Sequence, residues 1–220
     1  LNSIKYIKVF VWFFVLISTT SNAQVKSLLQ SHDKLIDDYV VDQYQIDLPK
    51  ERREIVQNDL SYQFAVPVEP NYPITLPANI AKTADSFHYL LKITAEDAYA
   101  LNFTLNGLMD GLVRSVYVKN LNSGEVFGPY NPVKNKFDIT AFPVFFSSKI
   151  LVEIVAEEKL KPGTVHLHRL GITYEKNSFP GSGDCNVDIN CDEGLPWQGV
   201  KNAVARIMYD NGWLCSGTLI

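Results

Sequence analysis

The residue types best suited to chemistry cluster in SGDCNVDINCDEG, positions 182 to 194. Asp184, Asn186, Asp188, Asn190 and Asp192 take every second place, as oxygen ligands do in a calcium loop, while Cys185 and Cys191 interrupt them. The calcium pattern fails on count. An EF-hand loop needs Gly sixth and Glu twelfth, and from Asp184 those places hold Ile189 and Leu195. From Asp188 they hold Glu193 and Gly199. Solvated turn residues between half-cystines are the simpler reading. Zinc also fails, because structural sites pair cysteines two to four residues apart, whereas five residues separate Cys185 from Cys191 and 23 separate Cys191 from Cys215.

His166 and His168 stand at i and i+2, on one face of a strand, where a metal could bridge them, yet no carboxylate or third ligand lies near in sequence. An ordinary polar strand face alternating with Val165 and Leu167 accounts for them, and no metal or other cofactor is expected. Four histidines among many serines and aspartates make chance triads inevitable. No Gly-x-Ser-x-Gly elbow frames a nucleophile, and Gly181-Ser182-Gly183 reads as linker. Asn102-Phe-Thr104 fits the glycosylation tripeptide but falls inside an expected strand.

These residues sit in a chain of 220, 46% hydrophobic and 20% charged, with a formal charge of −4. That is enough apolar material for a core, and no basic run exceeds the KERR at 50 to 53, so nucleic acid is excluded as a partner. Lys5 and Lys8 precede the apolar run Val9 to Ile17, and small residues Ser21 and Ala23 flank Asn22, the pattern of an export signal cut between Ala23 and Gln24. The run is about half the ~20 residues a spanning helix needs, so no membrane association is expected after signal removal. Secretion favours disulfides for the cysteines. Three is odd, and all three lie in the last 36 residues, so at least one partner is expected in another chain or past Ile220.

The elements that must position these groups are mostly strands. Residues 24–79 are mixed: Leu28, Leu35, Ile36, Tyr39 and Val40 suit a short amphipathic helix, PKERREIVQND another, and the prolines at 67, 70, 73 and 77 an extended segment. From there Phe87, Tyr89, Leu91 and Ile93 alternate with polar residues, as do Leu101, Phe103 and Leu105, so each strand should bury one face. SVYVKNLNSGEVFGPY reads as a hairpin turning at Asn122, Ser123 and Gly124; KILVEIVAEE, apolar almost throughout, reads as a central strand covered on both faces. TVHLHRLGITY supplies a last strand, and the whole predicts an antiparallel β-sandwich over 80–175. Residues 176–184 are a linker, and a second domain starting at 185 should stop mid-domain at 220.

SGDCNVDINCDEG followed by VKNAVARIMYDNGWLCSGTLI resembles the opening of the peptidase domain of bacterial lysyl-endopeptidase-type proteases, trypsin-like serine endopeptidases of the chymotrypsin fold. The resemblance rests on the cysteine spacing, the CNVDI wording, the strand Ala203 to Met208 and the CSGTLI string; the β-rich region upstream is similar more loosely to the pro-region of such precursors. It implies an N-terminal fragment of a secreted precursor: signal peptide, sandwich pro-region and the truncated start of a trypsin-like β-barrel. The histidine, aspartate and serine of the triad are then expected after Ile220, with no catalytic residue in this chain. Cys215 would pair with the cysteine after the catalytic histidine, and Cys185 and Cys191 with later parts of the barrel, each bridge contributing ~2–4 kcal/mol in the complete enzyme. No IVGG stands at the junction, so maturation is expected in the linker, with Lys176 the candidate cut if the enzyme cleaves after lysine. The implied partners are a protein or peptide substrate and the missing C-terminal peptidase region. The rival from another class is a secreted β-sandwich binding module for carbohydrate or cell surface with a cysteine-rich C-terminal piece; an inactive protease homologue is a third reading.

Overall fold

Alternating and continuous apolar runs between turn signals dictate strands, and the computed structural model is built almost wholly of them. It describes residues 27–30, 41–55, 62–74, 81–83, 86–108, 111–132, 136–176 and 192–218. In chain order the strands are β1 (Asp42–Ile46), β2 (Tyr62–Gln63), β3 (Val66–Val68), β4 (Tyr72–Pro73), β5 (Ala81–Thr83), β6 (Ser86–Ala95) and β7 (Ala100–Asn106). There follow β8 (Val113–Asn120), β9 (Val126–Tyr130), β10 (Ile139–Ala141), β11 (Lys149–Ala156), β12 (His166–Thr173), a short helix α1 (Gln198–Lys201), β13 (Val204–Tyr209) and β14 (Trp213–Thr218).

The first sheet runs β1-β6-β11-β8-β9, with β5 also on β6; the second runs β10-β7-β12-β3, with β4 also on β12. Their inner faces meet in one core. Tyr89, Leu91 and Ile93 of β6 and Val152 and Ile154 of β11 oppose Leu101, Phe103 and Leu105 of β7 and Leu170 and Ile172 of β12. Phe103 stacks on Phe142 at 4.5 Å between ring centroids, a contact that contributes ~0.5–1.5 kcal/mol beyond its buried area. β11 holds the central place its composition demands, between β6 and β8. The β8–β9 hairpin turns where expected: the Asn120 side-chain oxygen accepts the Asn122 and Ser123 amides at 2.9 and 3.1 Å, and Gly124 takes φ +79°.

The sandwich is not purely antiparallel, which corrects the sequence expectation. β1 pairs with β6 in parallel, from Asp42↔Leu91 to Ile46↔Ala95. Parallel neighbours need a long crossover, and the chain provides one by leaving β1 for β3 and β4 in the opposite sheet before returning through β5. Strands from the 24–79 stretch thus enter both sheets. The expected helix at PKERREIVQND is only a 3-10 turn, Lys50–Arg52, after Pro49. Of the other expected helix, Leu28–Gln30 forms a 3-10 turn, and Leu35, Ile36, Tyr39 and Val40 lie outside the described residues.

Four tyrosines make the sandwich sensitive to alkali. Burial raises the phenol pKa of Tyr44, Tyr89, Tyr130 and Tyr174 above the ordinary 10.0. The folded state therefore holds these protons where the unfolded chain has begun to release them. Their contribution is intact below pH 10 and is lost as pH climbs through 10 toward the folded values. Urea midpoints are expected to stay level between pH 8 and 9.5 and to fall above 10, with Tyr89→Phe flattening part of that fall.

Candidate functional site

Two polar constellations stand out against the apolar framework. The first lies on the outer face of the first sheet, built from the register of its three middle strands. Glu153 of β11 stands opposite Leu90 of β6 and Tyr117 of β8, and Val155 opposite His88, so His88, Leu90, Glu153 and Tyr117 share that face. His88 Nδ1 lies 2.6 Å from Glu153 Oε1, and His88 Nε2 lies 2.9 Å from Ser86 Oγ. Serine, imidazole and carboxyl follow in the order of a nucleophile, its base and the orienting acid. Burial decides what this row can do. Exposure is 3% for Ser86, 2% for His88 and 0% for Glu153, and the N-terminal turn closes over the carboxyl.

That turn completes the site. The Ser27 hydroxyl donates to Glu153 Oε2, the Leu28 amide donates to Oε1 at 2.9 Å, and the Leu29 amide donates to Ser27 Oγ at 3.0 Å. Leu29 drops into a small apolar cluster with Leu90, Tyr117, Leu151 and Val155, flanked by Val41 and Val126. A carboxyl left alone in such a setting costs several kcal/mol; with His88, Ser27 and Leu28 each bonded to it, the cost is offset. The row is therefore a closed polar bolt under the chain's N-terminal turn, and not an open nucleophilic centre. Sequence reading passed over it. The available signals were one carboxylate in the apolar run KILVEIVA and the i, i+2 spacing of Ser86 and His88.

The second constellation joins the C-terminal hairpin to the sandwich. β13 and β14 pair antiparallel from Val204↔Thr218 to Tyr209↔Trp213, and β14 also pairs with β2. Asp210 and Asn211 turn the hairpin with φ of 48° and 56°, values that Asn and Asp tolerate best after glycine. The turn inserts against β7 and β12. Asn211 Nδ2 donates to Asn102 Oδ1 at 2.7 Å, and Asn102 Nδ2 returns a bond to the Asn211 carbonyl at 3.1 Å. Phe64 and Ala65 amides donate to the Gly212 carbonyl at 2.8 and 3.3 Å, and Arg169 bridges Asp210 on the hairpin and Glu69 beyond β3. Gly171 makes the approach possible, since a Cβ there would stand 1.8 Å from the Asn211 carbonyl oxygen. Asn102, fully buried with its amide committed to this joint, is unsuited to carry a glycan in the folded protein.

The residues singled out from sequence are scattered. Cys215 is exposed on β14, while Cys185 and Cys191 lie outside the described residues, as do Ala23 and Gln24. Lys176 is exposed three residues past β12. His166 and His168 are half-buried on β12, and among the described residues no three His, Cys, Asp or Glu side chains converge as metal ligands would. No helix among the described residues is long and apolar enough to cross a membrane.

Residues 179–220 match the family model described as lysyl endopeptidase, C-terminal domain. The match covers less than a quarter of the chain, and no curated protein and no solved structure matches. The match falls on the stretch that contains the docked hairpin. This corrects the expectation of an N-terminal precursor fragment whose peptidase region is missing as a partner. It equally corrects the expectation of a pro-region leading into the truncated start of a barrel, because the model matched there describes a C-terminal domain.

Proposed function

We propose that the chain is an exported protein in which a β-sandwich binding module carries a lysyl-endopeptidase-type domain, the sandwich holding that domain against a carbohydrate or cell-surface target. Export is supported by Lys5 and Lys8, the apolar run Val9 to Ile17 and the small residues before Gln24. Serine-type hydrolysis of peptide bonds is proposed for the whole protein on the strength of the family description, since residues 179–220 contain no histidine to serve as its base. The observation that carries the reading is the interlocked Asn102–Asn211 joint: a sandwich with its own core grips the matched stretch at a fixed angle, as a targeting module grips what it delivers.

The test has two readings, one on the purified chain and one on the culture medium. The purified chain is expected to sediment with insoluble cell-envelope material or polysaccharide, and culture medium of producing cells to cleave a lysine-containing peptide in a way that a serine-directed phosphonate blocks. A chain that stays in the supernatant with every such material overturns the binding role; medium without phosphonate-sensitive cleavage overturns the peptidase role.

A further inference from the structure

The N-terminal turn is held as a ligand is held. Residues 28–30 form a 3-10 turn that joins neither sheet ladder, so no strand register fixes them. Their described anchorage includes the Ser27 hydroxyl and the Leu28 amide on a single carboxyl and Leu29 in an apolar cluster separate from the main core. The receiving side is preorganised by the sheet. β11 and β6 set Glu153 and His88 in register, and His88 in turn is held at its other nitrogen by Ser86.

We propose that the outer face of the first sheet around Glu153 is a peptide-binding site, specific for a hydroxyl residue followed two positions later by leucine, and that Ser27-Leu28-Leu29 occupies it as a displaceable intramolecular ligand. The specificity follows from the contacts. Glu153 Oε2 takes the hydroxyl, Oε1 takes the next amide, and the cluster of Leu90, Tyr117, Leu151 and Val155 takes the leucine. A peptide with alanine first would leave one carboxyl oxygen short of a donor in a dry site, and one with a charge at the leucine place would bury it in apolar surroundings. The partner is thus a polypeptide exposing a Ser/Thr-x-Leu segment. This deepens the binding-module reading for its biological use, though the site rests on its own geometry.

The experiment uses the full chain carrying Ser27→Ala together with Leu29→Asp, which vacates the site, and a fluorescein-labelled peptide QVKSLLQS, residues 24 to 31. Anisotropy is expected to show the variant binding this peptide at least tenfold more tightly than the wild-type chain does, and at least tenfold more tightly than it binds QVKALLQS or QVKSLDQS. A folded variant, with β-sheet circular dichroism intact, that ignores the peptide overturns the proposal. A wild-type dimer that Leu29→Asp converts to monomer assigns the site to a second copy and overturns it too. Should the variant fail to fold, hydrogen exchange on the wild-type chain decides: Leu28 and Leu29 amides exchanging at least a hundredfold faster than those of Leu151 and Val152 support a displaceable turn, and equal rates overturn it. Loss of envelope sedimentation with peptide binding retained would sink the targeting role alone.

Discussion

Replacing Glu153 by alanine is expected to lower the melting temperature by about 10 °C, the largest single effect in the sandwich. The carboxyl is the shared acceptor for His88 Nδ1, the Ser27 hydroxyl and the Leu28 amide, all buried. Removing it strands three donors in a dry place at once, at a cost of ~3–5 kcal/mol, the range seen when one side of a buried polar pair is deleted. Glu153→Gln should cost less. Its carbonyl still accepts one bond, but its amide faces the remaining donors. The decisive comparison is Glu153→Leu combined with His88→Phe, where the carboxyl and the imidazole both become apolar, the Ser27 hydroxyl and Leu28 amide stay stranded, and only part of the loss should return. Differential scanning calorimetry of the three variants checks the order. A Glu153→Ala protein that melts within 2 °C of wild type would mean that the polar row is open to water and not closed as described.

The second large effect is expected at Gly171. A Cβ there would stand 1.8 Å from the Asn211 carbonyl oxygen and 2.6 Å from Asn102 Nδ2, so valine cannot be accepted while the hairpin turn is seated. Because Gly171 lies within β12, paired to Asn102 on one side and Pro67 on the other, the backbone has no room to move away. The hairpin should leave instead, losing about 2–4 kcal/mol of buried amide pairing at the joint. The readout is trypsin cleavage after Lys201 and Arg206, which should accelerate on the order of thirtyfold as the undocked population grows. Gly199→Ala is the control: its Cβ meets nothing within 4 Å, and cleavage should not change.

Much of the sandwich was legible because burial writes itself into composition. KILVEIVA is apolar on both faces and does sit centrally; NSG follows a strand and does turn a hairpin. What was not legible depends on contacts between distant segments. The alternation in β6 predicts one wet face, yet His88 and Leu90 on that face are buried, Leu90 against Leu29 of the N-terminal turn and His88 against Glu153, which that turn also binds. Nothing in the sequence of β6 announces that cover. The parallel seat of β1 likewise depends on a crossover through the opposite sheet, and the Asn102–Asn211 pair spans 109 positions. Glu153 was the stronger of the two available clues. A lone carboxyl in a strand expected to be covered on both sides must have a partner, and following that requirement would have led to the site.

The central claim is that the C-terminal hairpin, within the stretch matched by the family model, is locked to the sandwich through the turn at Asp210, Asn211 and Gly212. Hydrogen exchange of the Phe64 and Ala65 amides tests it most directly, since both donate to the Gly212 carbonyl. Protection matching that of the Phe103 and Leu170 amides in the second sheet is the predicted result. Exchange of Phe64 and Ala65 at the rate of an open loop, while the sheet stays protected, would contradict it.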